Sequence, residues 1–123
     1  MEIEVSIGEI VDKLSILHIK KENITDTQKL VNVEKEYNYL FTIVFNRLKI
    51  SQSDFMDLVN INTKLWIIED DIRDKERSKE FDERFIELAR SVYFTNDKRA
   101  EIKKEINSKY GSSFVEEKSY KEY

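Results

Sequence analysis

At 123 residues the chain is long enough for one domain built around one hydrophobic core. Apolar residues make up 40% and charged residues 37%, with no proline, two glycines and no cysteine. This disfavours a turn-rich all-β fold and excludes disulfides and thiolate metal sites. The net charge is −4 with a pI near 5.2. Lysines and arginines alternate with acids, as in KKEN, DIRDKERSKE and EIKKEI, so the basic stripe of a nucleic-acid binder is missing.

No apolar run approaches the roughly 20 residues that span a bilayer. The longest, residues 40–45, is interrupted by Thr42. The start, MEIEVSIGEI, is acidic and lacks the basic opening and apolar run of a signal peptide.

Residues 1–5, MEIEV, alternate polar and apolar and read as a short strand or an extended arm. Ser6 and Glu9 form an S-x-x-E capping box that opens the first helix, to about Asn23. Ile7, Ile10, Val11, Leu14, Leu17 and His18 form its stripe. Thr25 and Asp26 are the next cap candidates, with Thr25 and Gln28 repeating the capping pattern, before a second helix over about 27–49. There Leu30, Val33, Tyr37, Leu40 and Val44 alternate spacings of three and four, and Arg47 is next in register. Phe41, Phe45 and Leu48 add a second apolar edge, which predicts that this helix is the most buried.

Ser51 and Ser53 mark a turn, and a third helix follows from about Asp54 to Glu76. One of its tracks reads Phe55, Val59, Asn62, Trp66, Glu69, Arg73. The polar run ERSKE, 76–80, reads as a turn before a fourth helix. Thr95, Asn96 and Asp97 resemble cap chemistry, but the spacing favours one continuous or kinked helix to about Tyr110, stopped by Gly111. Both glycines, Gly8 and Gly111, therefore fall near helix ends. The tail keeps Phe114, Val115 and Tyr120, which predicts that it packs back. The expected fold is all-α: a single domain over 1–123, an antiparallel bundle of about four helices with a short N-terminal arm.

The fourth helix carries the main anomaly. Its core track reads Phe85, Ala89, Val92, Asn96, Arg99, Lys103, Ile106, so three consecutive positions are polar where a bundle helix normally has Leu or Ile. Buried polar groups need partners. The third helix interrupts its own track at Asn62, Glu69 and Arg73, so the two helices are expected to face each other through a polar layer beside Trp66. As a structural device, the layer is an ion-pair network in which Glu69 or Asp70 answers Arg73 and Arg99. As a site, Arg73, Arg99 and Lys103 converge on a carboxylate or phosphate, with Trp66 as a wall. The candidate ligand-binding set is Trp66, Glu69, Arg73, Asn96, Arg99 and Lys103, with Arg47 nearby.

Other motifs carry less. Asp70, Asp71 and Asp74 spell D-D-x-x-D, which on a helix can hold magnesium against a diphosphate. Such sites need a second acidic cluster on a facing helix, so these acids are read as a solvated face paired to Arg73 and Lys75. Glu80 and Glu83 give the first half of the E-x-x-E…E-x-x-D pattern of helical pyrophosphatases, but Phe94 stands three residues before Asp97 where the second half needs an acid. His18 is the only histidine and has no partnered nucleophile. No metal and no cofactor is expected, and no catalytic residue can be assigned.

Four stretches together resemble a known family. They are VSIGEIVDKLSILHIK (5–20), LWIIEDDIR (65–73), FIELARSVYFTNDKRA (85–100) and VEEKSY (115–120). The family is an uncharacterised group of small helical proteins, a domain of unknown function, found in bacteria and marine phages and sometimes beside glycosyltransferases. With neither signal peptide nor span, the expected location is the cytoplasm, the host's if phage-encoded, and the resemblance implies an accessory role in carbohydrate transfer. His18 departs from the family pattern, in which an acid at that turn would pair a lysine such as Lys21. Residues 12–21 are also similar to the first helix of all-helical chorismate mutases, whose inner arginines and lysine hold a dicarboxylate.

Three functions therefore compete: a non-catalytic binding or accessory module, a small-molecule enzyme with an anion site, and a structural or dimerising bundle. Their partners are a protein, a second copy of the chain or an anionic small molecule, with neither nucleic acid nor membrane.

Overall fold

The computed structural model describes residues 1–117 and Ser119, so Tyr120, expected to pack back with the tail, lies outside the described residues. It is an all-α bundle of four helices: α1 (Ile7–Asn23), α2 (Thr27–Phe41), α3 (Gln52–Arg77) and α4 (Glu83–Lys109), with a π-helical segment (Thr42–Arg47) continuing α2. No strand occurs among the described residues, and residues 1–5 form an exposed arm.

Each helix starts where a short polar side chain accepts an orphan amide. Ser6 accepts from the Glu9 amide at 3.2 Å, Asp26 from Lys29 at 3.0 Å, Ser51 from Asp54 at 3.1 Å and Asp82 from Phe85 at 3.0 Å. The cap of α2 is thus Asp26, the second of the two candidates, and not Thr25. The α4 helix runs unbroken through Thr95, Asn96 and Asp97, because Thr95 is buried against the bundle rather than freed as a cap.

The chain forms two helical hairpins. α1 and α2 pair through Lys13–Glu36 at 2.8 Å and through Lys21, whose ammonium lies 4.2 Å from the Tyr37 ring centroid. α3 and α4 pair from Asp54–Tyr110 at one end to Lys75–Asp82 at the tip. α1 then lies obliquely across the α3–α4 hairpin. Its first turn sits on Lys103 and Asn107 of α4, its middle reaches both Asn62 and Arg99, and its C-terminal half reaches Phe55 of α3. Beneath this crossing lies the core: Val11, Leu14, Val44, Ile50, Phe55, Leu58, Val59 and Ile106.

Two expectations are corrected here. First, α2 is the least buried helix, with no buried residue. Its stripe of Leu30, Val33, Tyr37 and Leu40 meets α1 alone, so each side chain is only half covered. Val31, Tyr39 and Phe41 stay exposed.

Second, Arg47 does not continue the inward track and is exposed. The π segment adds a residue to the turn, and the Leu48 amide bonds back to the Ile43 carbonyl at 2.9 Å. This wider turn seats Val44 in the core and swings Leu48, rather than Arg47, in behind it. It also places Phe45 edge-on to Phe55, with ring centroids 5.2 Å apart.

α3 and α4 are each about 40 Å long by the helical rise per residue, much longer than α1. Among the described residues, their tip-side halves are packed on each other, through Leu65, Ile68 and Leu88. No described helix is long and apolar enough to cross a membrane.

The inner polar layer as a candidate functional site

The crossing of α1 over the α3–α4 seam brings four polar side chains together. Asp12 of α1 is 1% exposed. Its Oδ1 accepts from Asn62 Nδ2 at 2.8 Å and from Arg99 Nε at 3.0 Å, and its Oδ2 accepts from Arg99 Nη2. Arg99 thus grips the carboxylate side-on with two donors, the strong form of the pair. The second Asn62 amide hydrogen goes to Ser15 Oγ at 2.8 Å, and Ser15 Oγ donates to the Asp12 carbonyl at 2.6 Å. The hydrogen bonds to Asp12 raise the Arg99 pKa above its ordinary value, outweighing the opposing effect of burial. Breaking one partner out of such a buried pair costs about 3–5 kcal/mol, because the other charge is left behind.

One turn further along α4, Lys103 bridges two more carboxylates. Its Nζ lies 2.7 Å from Glu9 of α1 and 3.0 Å from Glu116 of the C-terminal segment. Burial works to lower the Lys103 pKa, but the hydrogen bonds to Glu9 and Glu116 prevail and the net shift is upward. The Glu9 carboxylate, expected to close the capping box on Ser6, turns to Lys103 instead.

This geometry depends on Gly8. A Cβ there would lie 2.6 Å from the Lys103 carbonyl oxygen and 3.0 Å from Asn107 Oδ1. Without it, the two backbones approach closely enough for the Gly8 amide to donate to Asn107 Oδ1 at 2.6 Å. The neighbouring Ile7 amide donates to Ser112 Oγ at 3.0 Å. The first turn of α1 is therefore capped from outside by α4 and by the segment that follows it.

Among the residues singled out from sequence, Asn62, Arg99 and Lys103 lie in or beside this layer. Asn96 and Trp66 are half-buried, one turn nearer the tip. Glu69 and Arg73 lie outside it. Their side chains are 53% and 69% exposed, and they form a surface pair with each other at 3.4 Å. The track through Asn62 does continue to Glu69 and Arg73, but α1 covers that face only at the crossing. The partner of Arg99 is Asp12, not Glu69 or Asp70.

Sequence reasoning missed Asp12, Ser15, Glu9 and Asn107. One signal existed: Gly8, Asp12, Ser15 and Ile19, spaced four, three and four, form a second track on α1, and all four are buried. Asp12 stands 87 positions from Arg99, and no local pattern pairs them.

In formal charge the cluster holds three acids (Glu9, Asp12, Glu116) against two bases (Arg99, Lys103), a net of −1. No buried side-chain nitrogen or oxygen among the described residues lacks a partner. Near the hairpin tip, Asp71 and Asp74 of the D-D-x-x-D motif line an open cavity of about 250 Å³ with Lys75, Ser78, Glu80, Arg84 and Leu88. Of the acids there, Asp74 is answered by Arg77 at 2.9 Å and Glu80 by Lys75 at 3.0 Å. No group of three or more described His, Asp or Glu residues is arranged to hold a metal ion.

Compared with known proteins, residues 1–123 match a family described as a family of unknown function, DUF6165. The chain belongs to that family. No curated protein and no solved structure matches it.

Proposed function

We propose that this member of DUF6165 is a non-catalytic binding module of the cytoplasm, accessory to carbohydrate transfer, whose inner polar layer sets its shape and whose surfaces meet its partner. One observation carries the reading: the best anion ligand of the layer, Arg99, already has its Nε and Nη2 edge taken by Asp12. A phosphate or dicarboxylate bound on that edge would have to displace a buried carboxylate, and it would enter a cluster of net charge −1. The network therefore fixes how α1 crosses the hairpin, a use of buried polar groups attested in other helical assemblies. The link to carbohydrate transfer comes from the family resemblance.

A thermal-shift series with sugar nucleotides, inorganic phosphate and dicarboxylates tests this. No anion is expected to raise the melting temperature of the wild type more than that of Lys103→Met. A dose-dependent rise with one anion, lost in that variant, would sink the module reading in favour of a small-molecule site.

A further inference from the structure

The strap formed by residues 112–117 leaves α4 at Gly111, whose φ of +69° suits a residue without a side chain. It then runs back along the helix without regular structure. The Ser112 amide donates to the Asn107 carbonyl at 2.9 Å, Glu116 lies on Lys103, and Glu117 approaches Lys104 at 3.8 Å. Adjacent acids of the strap thus meet adjacent lysines of α4.

The strap is held weakly, yet it covers something costly to expose. Phe114 and Val115 remain 50% and 44% exposed, so little apolar area anchors it. Its ion pairs involve carboxylates at the surface, where such pairs contribute little and salt screens them. Segments with these properties open locally well below the cost of global unfolding. Beneath the strap, the Lys103 side chain is only 10% exposed and carries a full charge. Lifting the strap leaves Lys103 with Glu9 alone and frees the Ile7 amide from Ser112. The charge of the cluster then moves from −1 to zero, and the edge of α4 becomes receptive to a carboxylate.

We propose that this strap is an intramolecular stand-in for an extended acidic segment of a partner protein, which docks on the same edge by placing a hydroxyl at the first turn of α1 and a carboxylate on Lys103. The proposal rests on the binding-module reading and names the chemistry of its partner. The register is that of the strap itself, with the hydroxyl four positions before the acid.

The test uses the full chain and its variant Glu116→Gln/Glu117→Gln, with circular dichroism confirming unchanged helicity. Lys103 acylation by an N-hydroxysuccinimide ester is followed by mass spectrometry. Acylation is expected several-fold faster in the variant. A peptide with the sequence of residues 112–117 is expected to restore protection in the variant, with an effect that fades as salt is raised. The same peptide with glutamine for both glutamates is expected to give none.

Equal Lys103 rates in wild type and variant would overturn the strap as an occupant. A peptide that fails to protect Lys103 would overturn the docking edge. Protection by inorganic phosphate equal to that by the peptide would overturn the choice of partner, and this is separate from the melting-temperature result on which the module reading stands.

Discussion

Gly8 shows how one missing side chain sets a helix crossing. Helix propensity alone says that Gly8→Ala should stabilise the protein by roughly 1 kcal/mol. The close approach to Lys103 and Asn107 says the opposite, because the new Cβ meets backbone, which cannot swing aside. The expected result is a loss of about 1–3 kcal/mol in urea unfolding, the usual cost of overpacking. A rise in stability would mean that α1 and α4 are less tightly apposed than described. Nothing in the sequence around Gly8 announces this role. A glycine in the first turn of a helix looks like an end signal, and only the partner helix reveals a contact surface. Asp12 was hidden in the same way. Asn62, Arg99 and Lys103 were legible because each interrupts an apolar track, whereas Asp12 lies on a track that is polar and small from Gly8 to Ser15 and so passes for a wet face.

At the scale of elements, the open end of the α3–α4 hairpin is closed by Asp54. Its carboxylate accepts from Lys109 Nζ at 2.8 Å and from the Tyr110 hydroxyl at 2.6 Å, while that hydroxyl accepts from the Ser51 amide at 3.0 Å. The bond from Lys109, followed by that from Tyr110, holds the Asp54 pKa below its ordinary value of 3.8. A carboxyl whose folded-state pKa is depressed contributes stability above its unfolded value, and that contribution is lost as pH falls through the folded one. Urea midpoints measured from pH 7 downward should therefore fall on the acid side of 3.8, and Asp54→Asn should flatten this limb while lowering the neutral plateau. Identical acid limbs in the two proteins would remove Asp54 from the account. The start of α1 was readable from its cap, because Ser6 acts locally, whereas the capping role of Asp82 was not read from the sequence. The burial of α2 was not readable: an apolar stripe reports that a face wants cover, not how many neighbours supply it. The exposure of Arg47 was equally hidden, since it follows from a π turn that breaks the 3.6-residue count.

For the whole molecule, burial divides the bundle into two zones. Where α1 crosses, α1, the π segment, α3 and α4 share one core. Toward the tip, α3 and α4 pack on each other among the described residues, and Ile67, Phe81 and Ile86 stay exposed. Amide hydrogen exchange should report this division, because local opening is cheapest where few apolar contacts hold a segment. Amides between about residue 69 and residue 94, on the tip side of the layer, should exchange well before those of α1 and the proximal half of α3. Uniform protection along α3 would contradict the two-zone description. The same division explains why Glu69 and Arg73 were misplaced by a periodicity argument: the helix keeps its phase, but the cover ends.

The oblique seat of α1 also carries a consequence for the order in which the chain assembles. The α3–α4 hairpin joins neighbours in sequence, and such local contacts form early. The Asp12–Arg99 pair closes 87 positions, so it comes late. Until α1 arrives in the one placement that sets Gly8 over the Lys103 carbonyl and Asp12 against Arg99, the hairpin offers an arginine, an asparagine and a lysine on an otherwise apolar seam. A slide of α1 by a single turn would bury Asp12 away from its donors and push a side chain into the α4 backbone. The polar layer therefore makes near-miss dockings of α1 costly, and the arrangement described leaves no buried side-chain polar atom of the described residues without a partner.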